Sequence, residues 1–102
     1  MILVPFSVAK DNLNNFDPAD DPLIQIKLEQ ASDSIFRYCD DVATLADPAW
    51  DETTAPPVVQ AATLQLLTAL WNKRGDEDDG AIERAWITIR QLLVQVKESA
   101  LA

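Results

Sequence analysis

PPVVQAATLQLLTALWNKRG, residues 56–75, is the stretch whose reading decides the fold. From Val58 through Asn72 it carries no charged side chain, in a chain of 102 residues with a formal net charge of -9. Val59, Ala62, Leu66, Leu67 and Leu70 recur at three- and four-residue spacing, the pattern of a helix face. Between them stand Gln60, Ala61, Thr63, Leu64, Gln65, Thr68, Ala69 and Trp71, neutral and mostly small or apolar. A helix without a charged face needs neighbours on more than one side. Pro56 and Pro57 suit the first turn, where a missing N–H costs nothing. Lys73 and Arg74 suit the negative end of the helix dipole, and Gly75 can take a left-handed cap. The stretch is read as a central, largely buried helix over about 57–74.

Upstream, Asp20-Asp21-Pro22 has the chemistry of a helix start, with acids at the positive end and proline in the first turn. The helix it opens is expected over about 21–41. Its apolar stripe is Ile24, Leu28, Ala31, Ile35, Tyr38 and Val42, with Leu23 and Cys39 alongside and Lys27, Glu29, Asp33, Arg37 and Asp40 outside. A short helix over about 7–14, capped by Ser7 and closed by Asn14, Asn15 and Asp17-Pro18, should precede it. Ile2, Leu3 and Val4 suit either a short strand or an apolar arm. Residues 44–55 read as a loop whose Trp50 folds back onto the helices; an exposed Trp50 would instead mark a contact site.

Downstream, Asp76-Glu77-Asp78-Asp79-Gly80 reads as an exposed turn, followed by a helix over about 81–99. That helix has two apolar stripes. One is Ile82, Ala85, Trp86, Ile89, Leu93, Val96 and Ala100; the other, on roughly the opposite side, is Ile87, Val94 and Leu101. A small domain does not easily bury both, so either part of the helix meets another chain or the helix is wedged within its own bundle. The expected fold is an all-α single domain: a bundle of three main helices plus a short N-terminal one.

Composition narrows the chemistry. Seventeen acidic residues oppose eight basic ones, which repels nucleic acid unless the few cations gather on one face. The hydrophobic share of 48% is that of a folded protein. Histidine is absent, which removes the commonest general base and metal ligand. Cys39 is the only cysteine, so no disulfide forms within the chain and a reducing compartment suits it. Met1 to Val4 lacks the basic flank and length of a signal peptide, and no run is apolar enough to span a bilayer. A soluble protein made inside the cell is expected.

The acidic turn invites an EF-hand reading, which fails on register. Placing Gly80 at the obligatory glycine puts Gly75 where the first aspartate belongs and Trp86 where the bidentate glutamate belongs. Asp20-Asp21 and Asp40-Asp41 lie at opposite ends of one helix, too far apart for a carboxylate pair. Cys39 has no histidine partner and sits beside Asp40, which opposes thiolate formation. There is no phosphate-cradling glycine loop and no zinc spacing. No catalytic residue, metal or cofactor is expected, which leaves a binding or assembly protein.

The order of features carries a resemblance. A Ser-led helix with Val8-Ala9-Lys10 and Leu13 precedes Asp20-Asp21-Pro22 and Leu23-Ile24. A long helix with Ala31 and a late aromatic follows, then a loop bearing Trp50. Pro57-Val58 and Ala61-Ala62 open a neutral helix ending Leu70-Trp71-Asn72-Lys73-Arg74. In this order, over about residues 6–95, the chain resembles the head–tail connector (adaptor) proteins of tailed double-stranded DNA phages and prophages. It departs from them where the first long helix ends Tyr38-Cys39-Asp40-Asp41, without a glycine.

The resemblance implies a small helical protein made in the host bacterial cytoplasm and assembled at the virion neck. There it would form a ring on the order of a dozen subunits beneath the portal protein. Such a ring extends the DNA channel, lets DNA pass without specific binding, and joins the portal to a downstream neck or tail-completion protein. Trp86, Ile87, Ile89, Leu93 and Val94 would then be contacts to a neighbour or the portal, although Trp86 and Ile89 read equally well as core. Asp47, Asp51, Glu52, Asp76, Glu77, Asp78 and Asp79 are candidates to face the channel. The alternative function is an acidic, noncatalytic module of the DNA-mimic inhibitor type; a metal-dependent hydrolase would need carboxylates converging inside the core.

Overall fold

A computed structural model describes residues 2–39, 50–73 and 80–101 of the chain. Four α-helices run through them: α1 Phe6–Leu13, α2 Asp21–Cys39, α3 Pro57–Lys73 and α4 Gly80–Leu101. A 3-10 turn, Pro18–Asp20, leads into α2, and no strand occurs among the described residues. The fold is an all-α bundle. The ends of the expected helices at Asp40, Asp41, Val42, Arg74 and Gly75 lie outside the described residues.

α3 is the hub, as its missing charge requires. Val59, Ala62, Thr63, Leu66, Leu67, Ala69, Leu70 and Trp71 are all buried, an arc much wider than one stripe. Thr63 meets the cost of its burial by donating its hydroxyl to the Val59 carbonyl at 2.9 Å. Both α2 and α4 pack extensively on α3 but scarcely touch one another, so they occupy different flanks of it. Where they do meet, Tyr38 and Trp86 place their rings 5.5 Å apart at 54°. α2 contributes Ile24, Leu28, Ala31 and Ile35 of the stripe read from its spacing, with Tyr38 half-buried and Cys39 buried beside it, and Trp50 folds back into the core.

The N-terminal segment is an arm rather than a strand. Leu3 and Val4 have no exposed surface, and the Leu3 N–H donates to Ser32 Oγ at 3.1 Å. Ser7 does not cap α1. Pro5 holds the cap position at φ -57 and ψ 142, without a side-chain cap, and its carbonyl accepts from the Ala9 N–H at 3.1 Å. Proline's fixed φ starts the helix one residue early, leaving Ser7 inside the first turn. Asn14 closes α1 in the left-handed conformation, φ 53 and ψ 41, which asparagine tolerates.

Two polar contacts fasten α1 to the bundle. Lys10 Nζ lies 2.9 Å from Asp21 Oδ1 at the start of α2, and 5.8 Å from the centroid of the Phe6 ring. Asn12 Nδ2 donates to Thr68 Oγ1 of α3 at 2.8 Å. The acidic turn before α2 also organises itself locally: Asp17 Oδ1 caps the 3-10 turn through the Ala19 N–H, and Asn15 Nδ2 donates to Asp20 Oδ2.

Ser32→Ala removes the acceptor of a buried amide, and the expected loss of stability is about 1–3 kcal/mol. Urea denaturation measures it; an unchanged midpoint would mean that Ser32 does not hold the arm.

Candidate interface on the last helix

The two stripes of α4 separate in the structure. Ile89 and Leu93 have no exposed surface and lie in the shared core, with Ile82, Ala85, Trp86, Leu92 and Val96 half-buried against it. For Ile89 this is the core alternative of the sequence reading; for Leu93 it corrects the expectation of a contact to another chain. Their spacing aligns them with the side of α4 that meets α3, and no surface remains for a partner. Trp86 sits at the margin of the core with its ring against Tyr38.

Ile87 and Val94 are different. They are 55% and 44% exposed, on the side of α4 turned away from the core. Two turns separate them, about 10.5 Å along the axis. Arg90 and Gln91 stand between them, and Glu83 and Arg84 one turn before Ile87, all exposed. The outer face of α4 is therefore a short apolar line flanked by two arginines, one glutamate and one glutamine, a net +1. The helix as a whole holds Arg84, Arg90 and Lys97 against Glu83 and Glu98, a net +1, so the rest of the chain carries -10 of the total -9.

The acidic candidates fare unevenly. Asp47, Asp76, Glu77, Asp78 and Asp79 lie outside the described residues. Asp51 and Glu52 are exposed in a turn that follows the buried Trp50. Asp51 is committed to its own turn: Oδ1 accepts from the Thr53 hydroxyl and N–H, both at 2.8 Å, and from the Thr54 N–H at 2.9 Å and hydroxyl at 3.1 Å. These donors, the Thr53 hydroxyl foremost, hold its carboxyl at about 2 against an ordinary 3.8. Such a carboxylate shapes the chain that leads into α3.

Three other exposed apolar side chains were not legible in the helix patterns: Val8 on α1, Phe16 before the 3-10 turn, and Ile26 on α2. Among the described residues no three of histidine, cysteine, aspartate or glutamate are placed to hold a metal ion, and no helix is long and apolar enough to cross a membrane. No family model, curated protein or solved structure matches the chain.

The division of α4 has a direct signature in stability. Ile89→Ala should cost about 2–5 kcal/mol by leaving a cavity, while Ile87→Ala should stay within about 0.5 kcal/mol. Equal losses in thermal denaturation would show that the two faces are not distinct. The depressed Asp51 acidity makes a second expectation. Its contribution to stability is complete above 3.8 and is lost as the pH falls towards about 2. Asp51→Ala should therefore melt earlier than the parent chain at neutral pH, with the difference closing across that acid window. A difference that persists unchanged at pH 2 would contradict this role.

Proposed function

We propose that this chain is a noncatalytic assembly protein, a head–tail connector that forms a ring between a phage portal and the next neck or tail component. The observation that carries the reading is the outer line of α4, where Ile87 and Val94 are exposed on a helix whose other stripe is already used within the chain. A helix apolar on two sides suits a subunit with a neighbour on each side. The order of helices and turns over about residues 6–95, which resembles connector proteins, supports the same reading.

The electrostatics fit. A surface with a large acidic excess does not hold phosphates, so a channel built from it lets DNA slide. The partners proposed are further copies of this chain, the portal, and a downstream tail-completion protein, at the neck of the virion. An inhibitor that mimics DNA would instead line up carboxylates along one exposed face. Here Asp17, Asp21 and Asp51 are occupied by a cap, a lysine and a turn, which weakens that second reading.

Light scattering at low and high salt, alone and with a portal ring, tests the proposal. A ring-sized mass, or recruitment onto the portal, is the expected result. A strict monomer that ignores the portal in every condition would overturn it.

A further inference from the structure

Ile26 is the one large apolar side chain on the outer face of α2, and it is 60% exposed. The buried positions of that helix, Ile24, Leu28, Ala31 and Ile35, define the opposite side. One and two turns further along the Ile26 side stand Glu29 and Asp33, both exposed, with Arg37 beyond them. Gln25 Nε2 donates to Glu29 Oε1 at 3.2 Å, a neutral partner that leaves the carboxylate its charge. This face is an apolar centre with acidic flanks. The outer face of α4 is its counterpart: the apolar centre Ile87 and Val94, with Arg84 and Arg90 beside it and Glu83 the one acid there, a net positive face.

The two faces are of similar length. Ile26 to Asp33 and Ile87 to Val94 are both seven-residue steps, about 10.5 Å of helix. They also point apart. α2 and α4 pack on different flanks of α3, and each turns its outer face away from the core. A single chain cannot bring them together, but two copies can.

We propose that the outer face of α4 docks on the outer face of α2 of a second copy of this chain. Ile26 of one copy seats between Ile87 and Val94 of the next, and Arg90 faces Glu29 and Asp33. The inference rests on the assembly reading and specifies its contact. Charge complementarity selects the occupant: Glu83, Arg84 and Arg90 make the α4 face net +1 and Glu29, Asp33 and Arg37 make the α2 face net -1, so either face against its own kind sets like net charges together. The contact is therefore heterologous, each copy offering one face and receiving on the other, the geometry that closes into a ring or runs on as a filament. Each contact is small, so the single interface is weak and gains strength from closure. The chain's overall charge of -9 opposes this attraction at low salt, so moderate salt favours association until it screens the arginines as well.

Disulfide trapping tests the contact in a Cys39→Ala background, which removes the buried native thiol. Chains bearing only Ile26→Cys are mixed with chains bearing only Ile87→Cys or Val94→Cys and exposed to a mild oxidant. The expected result is a dimer from the mixture, none from either chain alone, and a ladder of multimers when both cysteines share one chain. Arg90→Glu in the Ile87→Cys chain should lower the yield severalfold, and Glu29→Lys in the Ile26→Cys chain should restore it. Self-pairing of the Ile87→Cys chain, or no disulfide between the two faces in any mixture, would overturn the proposal. All positions changed on the two faces are exposed, and circular dichroism verifies that each variant folds. The contact and the connector reading fail separately. A ring that forms without this disulfide removes the contact alone, and a ladder that never closes or joins a portal removes the connector alone.

Discussion

The constraint on which the structure depends is the lack of any charge on α3 between Val58 and Asn72. A helix in water keeps one polar side, and this one has only Gln, Thr, Asn and small residues to offer. Its apolar arc is too wide for one partner, so α2 and α4 must both pack on it. At roughly 25 cal/mol per Å² of apolar surface, burying Leu66, Leu67 and Leu70 contributes several kcal/mol, comparable to the net stability of a small domain. The remaining elements, the N-terminal arm, α1 and Trp50, complete a core whose centre is already determined.

That arrangement has a consequence for α4. Only one side of it can face α3, and that side is taken by Ile89 and Leu93. The second stripe is therefore left outside, on a helix whose net charge is +1 in a strongly acidic chain. Apolar surface kept in water has a cost, and the small positive excess around it would favour an acidic partner in the assembly proposed. The same chain presents such a surface on α2. The proposed assembly, the charge distribution and the fold are linked through one choice: which side of α4 the core uses.

Much of this is legible in the sequence because it is local. The charge-free run, the stripe of α2 and the two stripes of α4 are patterns of three and four residues, and burial follows them closely. Trp50 is read as core from its placement between two helices. What the patterns miss depends on contacts between distant residues or on competing local chemistry. The burial of Ser32 has no local cue, since its partner is the amide of Leu3. Ser7 has the composition of a cap, yet Pro5 supplies the backbone geometry first. Ile26 interrupts a polar face and belongs to no apolar stripe of its helix. The assignment of Leu93 to an interface fails, and Ile89 takes the core alternative, because spacing places residues on one side of a helix without saying which side the core will take.

The claim that α4 divides its two stripes between core and neighbour is tested most directly by methyl NMR of the isoleucine, leucine and valine side chains as the protein is concentrated. The account predicts that the signals of Ile87, Val94 and Ile26 move together with concentration, while those of Ile89 and Leu93 stay where they are. Shifts confined to the buried pair, or outer-face signals that ignore concentration at every salt, would contradict it.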